Sequence, residues 1–194
     1  MILVTYLATK YKLYADDLKA YANSCSNQSI VDLNISLQRL LSWCDTWQMN
    51  LAIEKCFCLP LMRNGISVSP LSHFSLYDQQ LQNVENARDL GVIVDQKLNF
   101  NEHISLITHK ALTRCKLILK CFKSNNISLL LKAYVTYVRP LLEYCCTAWS
   151  PHNRYQIEKI EKVQRYFTKR LPGMWLVSYS DRLEQCGSHF KFAV

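Results

Sequence analysis

The stretch Lys12-Leu13-Tyr14-Ala15-Asp16-Asp17-Leu18-Lys19-Ala20-Tyr21 decides how the chain is read. Apolar and polar residues alternate on both sides of Asp16-Asp17, the pattern of two short strands joined by a tight turn. Aspartate suits such a turn because its carboxylate bonds the local backbone. Two adjacent carboxylates also repel each other, and they invite a divalent cation such as Mg²⁺ that prefers hard oxygen ligands. Taken alone, the pair reads either as a solvated turn or as half of a metal site.

Working outward, Asn27 to Met49 is expected to be an amphipathic helix. Ser29 and Asp32 are placed as a capping box, and Ile30, Leu33, Leu37, Leu40, Leu41, Cys44 and Trp47 recur at helical spacing. A carboxylate-bearing hairpin followed by a long packing helix makes a compact α+β unit. Lys55 to Leu61 reads as a short strand with Lys55 at one end, closed by Pro60 and the Asn64-Gly65 turn signal. Phe74 to Leu81 and Arg88 to Asp95 are further β-type segments.

From Asn99 the pattern turns helical. Asn99 and Glu102 resemble a capping box, ahead of a stripe of Ile104, Ile107, Ala111, Cys115, Ile118, Leu119 and Phe122. Lys110, Arg114, Lys116, Lys120 and Lys123 surround that stripe. A second helix is expected over Ser128–Tyr137, and Arg139-Pro140 either kinks it or starts another that continues to Trp149. The last helix is expected over Asn153–Leu171, with Ile157, Ile160, Val163, Phe167 and Leu171 facing inward. On its other face lie Lys159, Lys162, Tyr166 and Lys169, with Arg165 beside them. That basic, aromatic stripe reads either as a track for a phosphate backbone or as a solvated face laced by Glu158–Lys162 and Glu161–Arg165 pairs.

Composition sets the class. Of 194 residues, 49% are hydrophobic and 20% charged, a globular balance with room for one domain or a domain with an appended lobe. The net charge of +8 is uneven: residues 1–96 sum to −2 and residues 97–194 to +10, which suits a polyanionic partner for the second part. A boundary is accordingly expected near Lys97. Nine cysteines form no C-x-x-C pair, so they read as reduced thiols packed as small hydrophobes. A zinc ion on Cys56 and Cys58 would need a second ligand pair, which is not apparent. No apolar run reaches the length of a membrane span, and Lys10 and Lys12 follow the apolar start where a secretory signal would have them precede it. An intracellular protein of nucleus or cytoplasm, without a membrane partner, is the expectation.

Laid out in order, these residues resemble the reverse transcriptase of non-LTR retrotransposons, the LINE-type elements of the jockey and related groups, from about residue 12 to about residue 183. The resemblance is carried by Leu13-Tyr14-Ala15-Asp16-Asp17-Leu18-Lys19, the family's Y/F-A-D-D motif, and by Leu41-Ser42-Trp43-Cys44-Asp45-Thr46-Trp47 and Lys55-Cys56. It continues through Arg88-Asp89-Leu90-Gly91-Val92, Leu98 to Ile104, Tyr137 to Tyr144, Trp149-Ser150-Pro151 and Ile160 to Leu171.

The resemblance implies part of a polymerase palm over residues 1–96, made of the Asp-Asp hairpin, a packing helix and short antiparallel strands, and a mostly helical, basic thumb over 97–194. It implies two-metal nucleotidyl transfer with Mg²⁺, acting on an RNA template, a DNA primer and deoxynucleoside triphosphates. Asp16 would be the metal-binding carboxylate, and Asp17 would touch a metal or orient the site. Lys55 would be the general acid for the departing pyrophosphate. Tyr14 would lie close to the primer–template and Leu90-Gly91 in the hairpin gripping the primer. The thumb, with Lys110, Arg114, Lys159, Lys162, Arg165, Tyr166 and Lys169, would hold a duplex through its phosphates.

The chain also departs from the family. Only fifteen residues precede Asp16, none of them Asp or Glu, so against the family pattern this stretch is expected to lack the other metal-binding strand and the fingers. Ala52 stands where relatives usually carry Asn, the resemblance stops after Leu183, and no endonuclease domain is expected within these residues. The expectation is a fragment truncated at both ends and inactive by itself. The alternatives are a non-catalytic nucleic-acid-binding remnant and a non-functional pseudogene product.

Overall fold

The computed structural model describes residues 9–23, 26–61 and 74–187. The architecture is α+β, with short two-stranded pairings and seven helices among the described residues. It divides into two compact units. One runs to residue 87 and includes 95–98; the other takes 88–94 and the chain from 99 onward. Met1–Ala8, Cys25 and the Asn64-Gly65 turn signal lie outside the described residues.

In the first unit, β1 (Lys10–Tyr14) pairs antiparallel with β2 (Asp17–Tyr21), and Tyr14 stands opposite Asp17. The loop is two residues long, and Ala15 has φ +51°. A positive φ at the first central position only matches a II′ turn, whose twist suits the flanking strands. Helix α1 (Asn27–Thr46) is capped by Ser26, whose hydroxyl accepts from the Ser29 N–H. The expected cap at Ser29 is thus corrected: Ser29 is the third helical residue, and the helix ends at Thr46, short of Met49.

Leu33, Leu40, Leu41 and Cys44 are buried as the stripe predicts, while Trp47 is exposed. Ser36 joins the buried face. Its Oγ donates to the Asp32 carbonyl at 2.8 Å and accepts from the Thr9 N–H at 3.2 Å, tying the entry to β1 onto α1.

The Lys55–Leu61 strand shrinks to β3 (Phe57–Cys58), which pairs parallel with β6 (Gln82–Asn83). Lys55 lies in a 3₁₀ turn, Ile53–Lys55, and not at a strand end. The Phe74–Leu81 segment is a hairpin of β4 (Ser75–Leu76) and β5 (Gln79–Gln80), turned by Tyr77 and Asp78, both at positive φ. Tyr77 Oη donates to Asp45 Oδ1 on α1. Phe74 and Leu76 are buried.

Arg88–Asp95 is not one strand. β7 (Asn86–Asp89) and β8 (Val92–Asp95) pair across Leu90-Gly91, which take φ +44° and +91°. Two positive φ values define a I′ turn, and glycine enters that region without a Cβ penalty.

In the second unit, α2 (Asn101–Cys121) has its cap one residue later than expected, at Phe100 in place of Asn99, in the left-handed region and with no side-chain cap bond. The physical reason is that the Asn99 carbonyl and Asn101 Oδ1 are both taken by Gln156 Nε2, each at 2.7 Å. Helix α3 (Ile127–Tyr137) is capped by Asn126. Pro140 sits in the first turn of α4 (Arg139–Glu143). The helix does not run on to Trp149 as expected. Cys145 turns left-handed, and only a single helical turn, α5 (Cys146–Trp149), follows.

Helix α6 (Arg154–Thr168) packs on α2. Ile160, Val163, Phe167 and Leu171 are buried, but Ile157 is 40% exposed, and Gln156 takes the inward place assigned to it. Gln156 can be buried because its amide is satisfied by two hydrogen bonds to the start of α2. Asn153–Leu171 is also not the last helix: α7 (Tyr179–Cys186) follows, capped by Ser178. The core of this unit gathers Val92, Ile104, Ala111, Cys115, Tyr134, Val138, Leu142, Trp149, Val163 and Phe167. All eight described cysteines are free thiols; burial pushes Cys115 up to about 12.

Candidate functional site

The carboxylate pair stands at the tip of the β1–β2 hairpin. Asp16 is the second turn residue and Asp17 opens β2; both are exposed, as is Tyr14 at 63%. Strand alternation puts Asp17 and Tyr14 on the same face as the Lys12–Lys19 pair, one step from the tip, and Lys10 beyond it. The tip therefore offers two hard oxygen donors beside a short basic strip. Lys55 is exposed on its 3₁₀ turn in the same unit. Among the described residues, no group of three or more His, Cys, Asp or Glu side chains comes together as a cation cage. The donor type fits Mg²⁺, which is commonly held by one or two carboxylates plus substrate phosphates.

The second unit brings together residues that lie far apart in sequence. Tyr144 Oη donates to the Leu90 carbonyl at 2.9 Å, and its ring lies 3.4 Å from where a Cβ on Gly91 would be. The Trp149 indole N–H donates to the Tyr144 carbonyl at 2.8 Å. The Ile93 N–H donates to His103 Nδ1 at 3.3 Å, and the imidazole meets Trp149 edge-on with ring centres 5.3 Å apart. The Leu90-Gly91 turn is therefore held directly by Tyr144, while His103 bonds the adjoining strand at Ile93 and Trp149 braces both the Tyr144 backbone and the His103 ring. Motif spacing does not reveal this cluster. Its members lie inside motifs carried by the resemblance, and only folding shows that they meet.

His103 accepts at Nδ1, so it is neutral there. Burial, and secondarily the charge of Lys110, hold its pKa below the ordinary 6.5. The unfolded chain thus binds a proton more readily than the folded one. The stability contributed by the neutral ring is full above about pH 6.5 and declines as pH falls toward the depressed folded value. Thermal unfolding followed from about pH 8 to about pH 5 is expected to show a falling midpoint, with a flatter profile in His103→Gln. Equal slopes in the two proteins would refute this.

The basic residues divide by what already engages them. Lys110 and Arg114 are exposed, one helical turn apart on α2. On α6, Lys159 Nζ donates to Ser105 Oγ at 2.6 Å, across the α2–α6 contact. Arg165 pairs with Glu161 at 2.8 Å and lies 4.7 Å over the Tyr179 ring. Arg170 stacks 3.6 Å over Tyr166. Lys162 and Lys169 are exposed. The Glu161–Arg165 pair forms as expected, but Glu158 pairs with Arg154 rather than Lys162.

Comparison with known proteins points in one direction. Two distant relatives are RNA-directed DNA polymerases of Drosophila mobile elements by name. The chain is 27% identical over 159 residues to the probable RNA-directed DNA polymerase from transposon BS of Drosophila melanogaster, covering 74% of this chain and 17% of that protein. It is 26% identical over 164 residues to the RNA-directed DNA polymerase from mobile element jockey of Drosophila funebris, covering 82% and 18%. An uncharacterized protein of Caenorhabditis elegans is 38% identical over 100 residues, half of each chain. The chain thus spans half the length of this last relative and under a fifth of the two polymerases. No family model matches it, and no solved structure matches at a significant level. Among the described residues, no helix is long and apolar enough to cross a membrane.

Proposed function

We propose that the chain is the C-terminal palm and the thumb of a reverse-transcriptase-like, RNA-directed DNA polymerase of a mobile element. The observation that carries this is the exposed Asp16-Asp17 tip in a chain similar over 74–82% of its length to two such polymerases. Asp16 would hold Mg²⁺ and Asp17 would support it; a bound ion supplies charge neutralisation at the phosphoryl oxygens. Tyr14, exposed beside the pair, would border the primer–template, and Lys55 would supply a proton to the departing pyrophosphate. Lys12 and Lys19 favour an ion that arrives with phosphate over a bare one, because their charges oppose a lone cation. Leu90-Gly91, fixed by Tyr144, would meet the primer. Lys110, Arg114, Lys162 and Lys169 would track duplex phosphates with little reading of sequence, helped by Lys159, Arg165 and Tyr166.

In this reading the 194-residue chain alone does not polymerise, because among the described residues no third ligand joins the carboxylate pair to complete a two-ion site. Primer extension on poly(rA)/oligo(dT) with Mg²⁺ is expected to give no incorporation. Incorporation that disappears in Asp16→Ala would overturn the inactivity and leave the polymerase reading stronger. Duplex binding that weakens steeply with salt is the function left to the chain itself.

A further inference from the structure

Trp175 and Leu176, in the corner between α6 and α7, have no part in the reading above, although they are the most exposed large apolar side chains among the described residues. Trp175 is 67% exposed and Leu176 77%. A loose loop would explain such exposure, but this corner is anchored on both sides. Leu171 and Met174 are buried in the core, and the Met174 N–H donates to the Leu171 carbonyl at 3.1 Å. The Val177 N–H donates to the Met174 carbonyl at 3.3 Å. Arg182, itself only 6% exposed, donates through Nη1 to the Val177 carbonyl at 2.7 Å and through Nε to Thr168 Oγ1 at 3.3 Å. The corner is thus held while its two largest side chains point to solvent. A backbone held in this way has little loop freedom left to lose when the exposed ring binds.

Charge selects the occupant. Between Glu161 and Asp181 the sequence carries Lys162, Arg165, Lys169 and Arg170; Arg165 is paired with Glu161, which leaves Lys162, Lys169 and Arg170 on the approach to the corner. The Arg170 guanidinium carbon lies 3.6 Å from the Tyr166 ring centre at the end of α6, five residues before the indole. Cations five and six residues ahead of an exposed aromatic ring along the chain match a single-stranded nucleic acid, whose phosphates and unstacked bases alternate along the strand. A neutral protein partner would have no use for the cations.

We infer that the α6–α7 corner is a single-strand contact, in which Trp175 stacks on an unpaired base and Lys169 and Arg170 hold the adjoining phosphates. This rests on the nucleic-acid reading above and adds a place for the strand beyond the duplex.

The test is fluorescence anisotropy of a labelled oligothymidylate, and separately of an RNA–DNA duplex, titrated with the full chain and with Trp175→Ala, Trp175→Phe and Lys169→Ala/Arg170→Ala. Trp175→Ala is expected to weaken oligothymidylate binding roughly 5- to 100-fold with an unchanged salt slope, and Trp175→Phe to restore most of it. The double variant is expected to lower the slope by about 1–2. Duplex binding should change little in Trp175→Ala. Equal single-strand affinity in wild type and Trp175→Ala, with duplex binding intact, would overturn the corner assignment alone. Loss of both probes in the wild type at low salt would overturn the nucleic-acid reading and this inference together. A Trp175→Ala change confined to self-association would identify a second copy as the occupant and also overturn it.

Discussion

Trp149→Ala is expected to cost about 3–5 kcal/mol of folding stability, read as a lower urea midpoint. The indole is 1% exposed and has three roles at once. It fills the core of the second unit, meets His103 edge-on, and donates its N–H to the Tyr144 carbonyl. Truncation leaves a cavity and an unpaired carbonyl beside the side chain that holds Leu90, so the Leu90-Gly91 turn should loosen as well. Amide exchange at Gly91 and Val92 is expected to speed up more than the global loss explains. Trp175→Ala is the control: an exposed indole of the same size should cost no more than about 0.5 kcal/mol. Similar losses in both variants would contradict the burial on which the contrast rests.

Arg182→Ala is the second large effect, roughly 3 kcal/mol. The guanidinium is buried, bonds Thr168 Oγ1 and the Val177 carbonyl, and lies 5.6 Å from the Tyr179 ring centre. Alanine leaves those oxygens unserved and removes the stem that packs α7 against α6. Arg182→Met keeps the stem and loses only the donors, so it should cost less than alanine. Trypsin cleavage after Lys169 and Arg170 reports the same event locally, since releasing α7 frees the corner that follows them. A methionine variant as stable as wild type would show that the two hydrogen bonds only offset the burial of the charge.

The strongly periodic segments were legible in the residues. The stripes from Leu33 to Cys44, from Ile104 to Ile118 and from Ile160 to Phe167 fall on helices, and the Asp-Asp stretch forms the expected hairpin. Errors cluster where a distant group claims a local one. Asn99 has the right chemistry for a cap, yet its carbonyl is used by Gln156, 57 residues away, and the helix starts at Asn101. Gln156 and Ser36 are polar residues on buried faces, which a hydrophobic stripe passes over. Helix α7 spans eight residues and buries only Arg182 and Cys186, too little apolar periodicity to announce itself.

The candidate site divides in the same way. By itself the sequence determined the Asp16-Asp17 tip and the uneven charge, because turn chemistry, strand alternation and net charge are local properties of the chain. Packing alone brings Tyr144 onto the Leu90-Gly91 turn with His103 and Trp149 behind it, and turns Trp175 outward on an anchored corner. Those contacts join residues up to 54 positions apart, and which of many aromatic side chains becomes buried is set by how the helices pack.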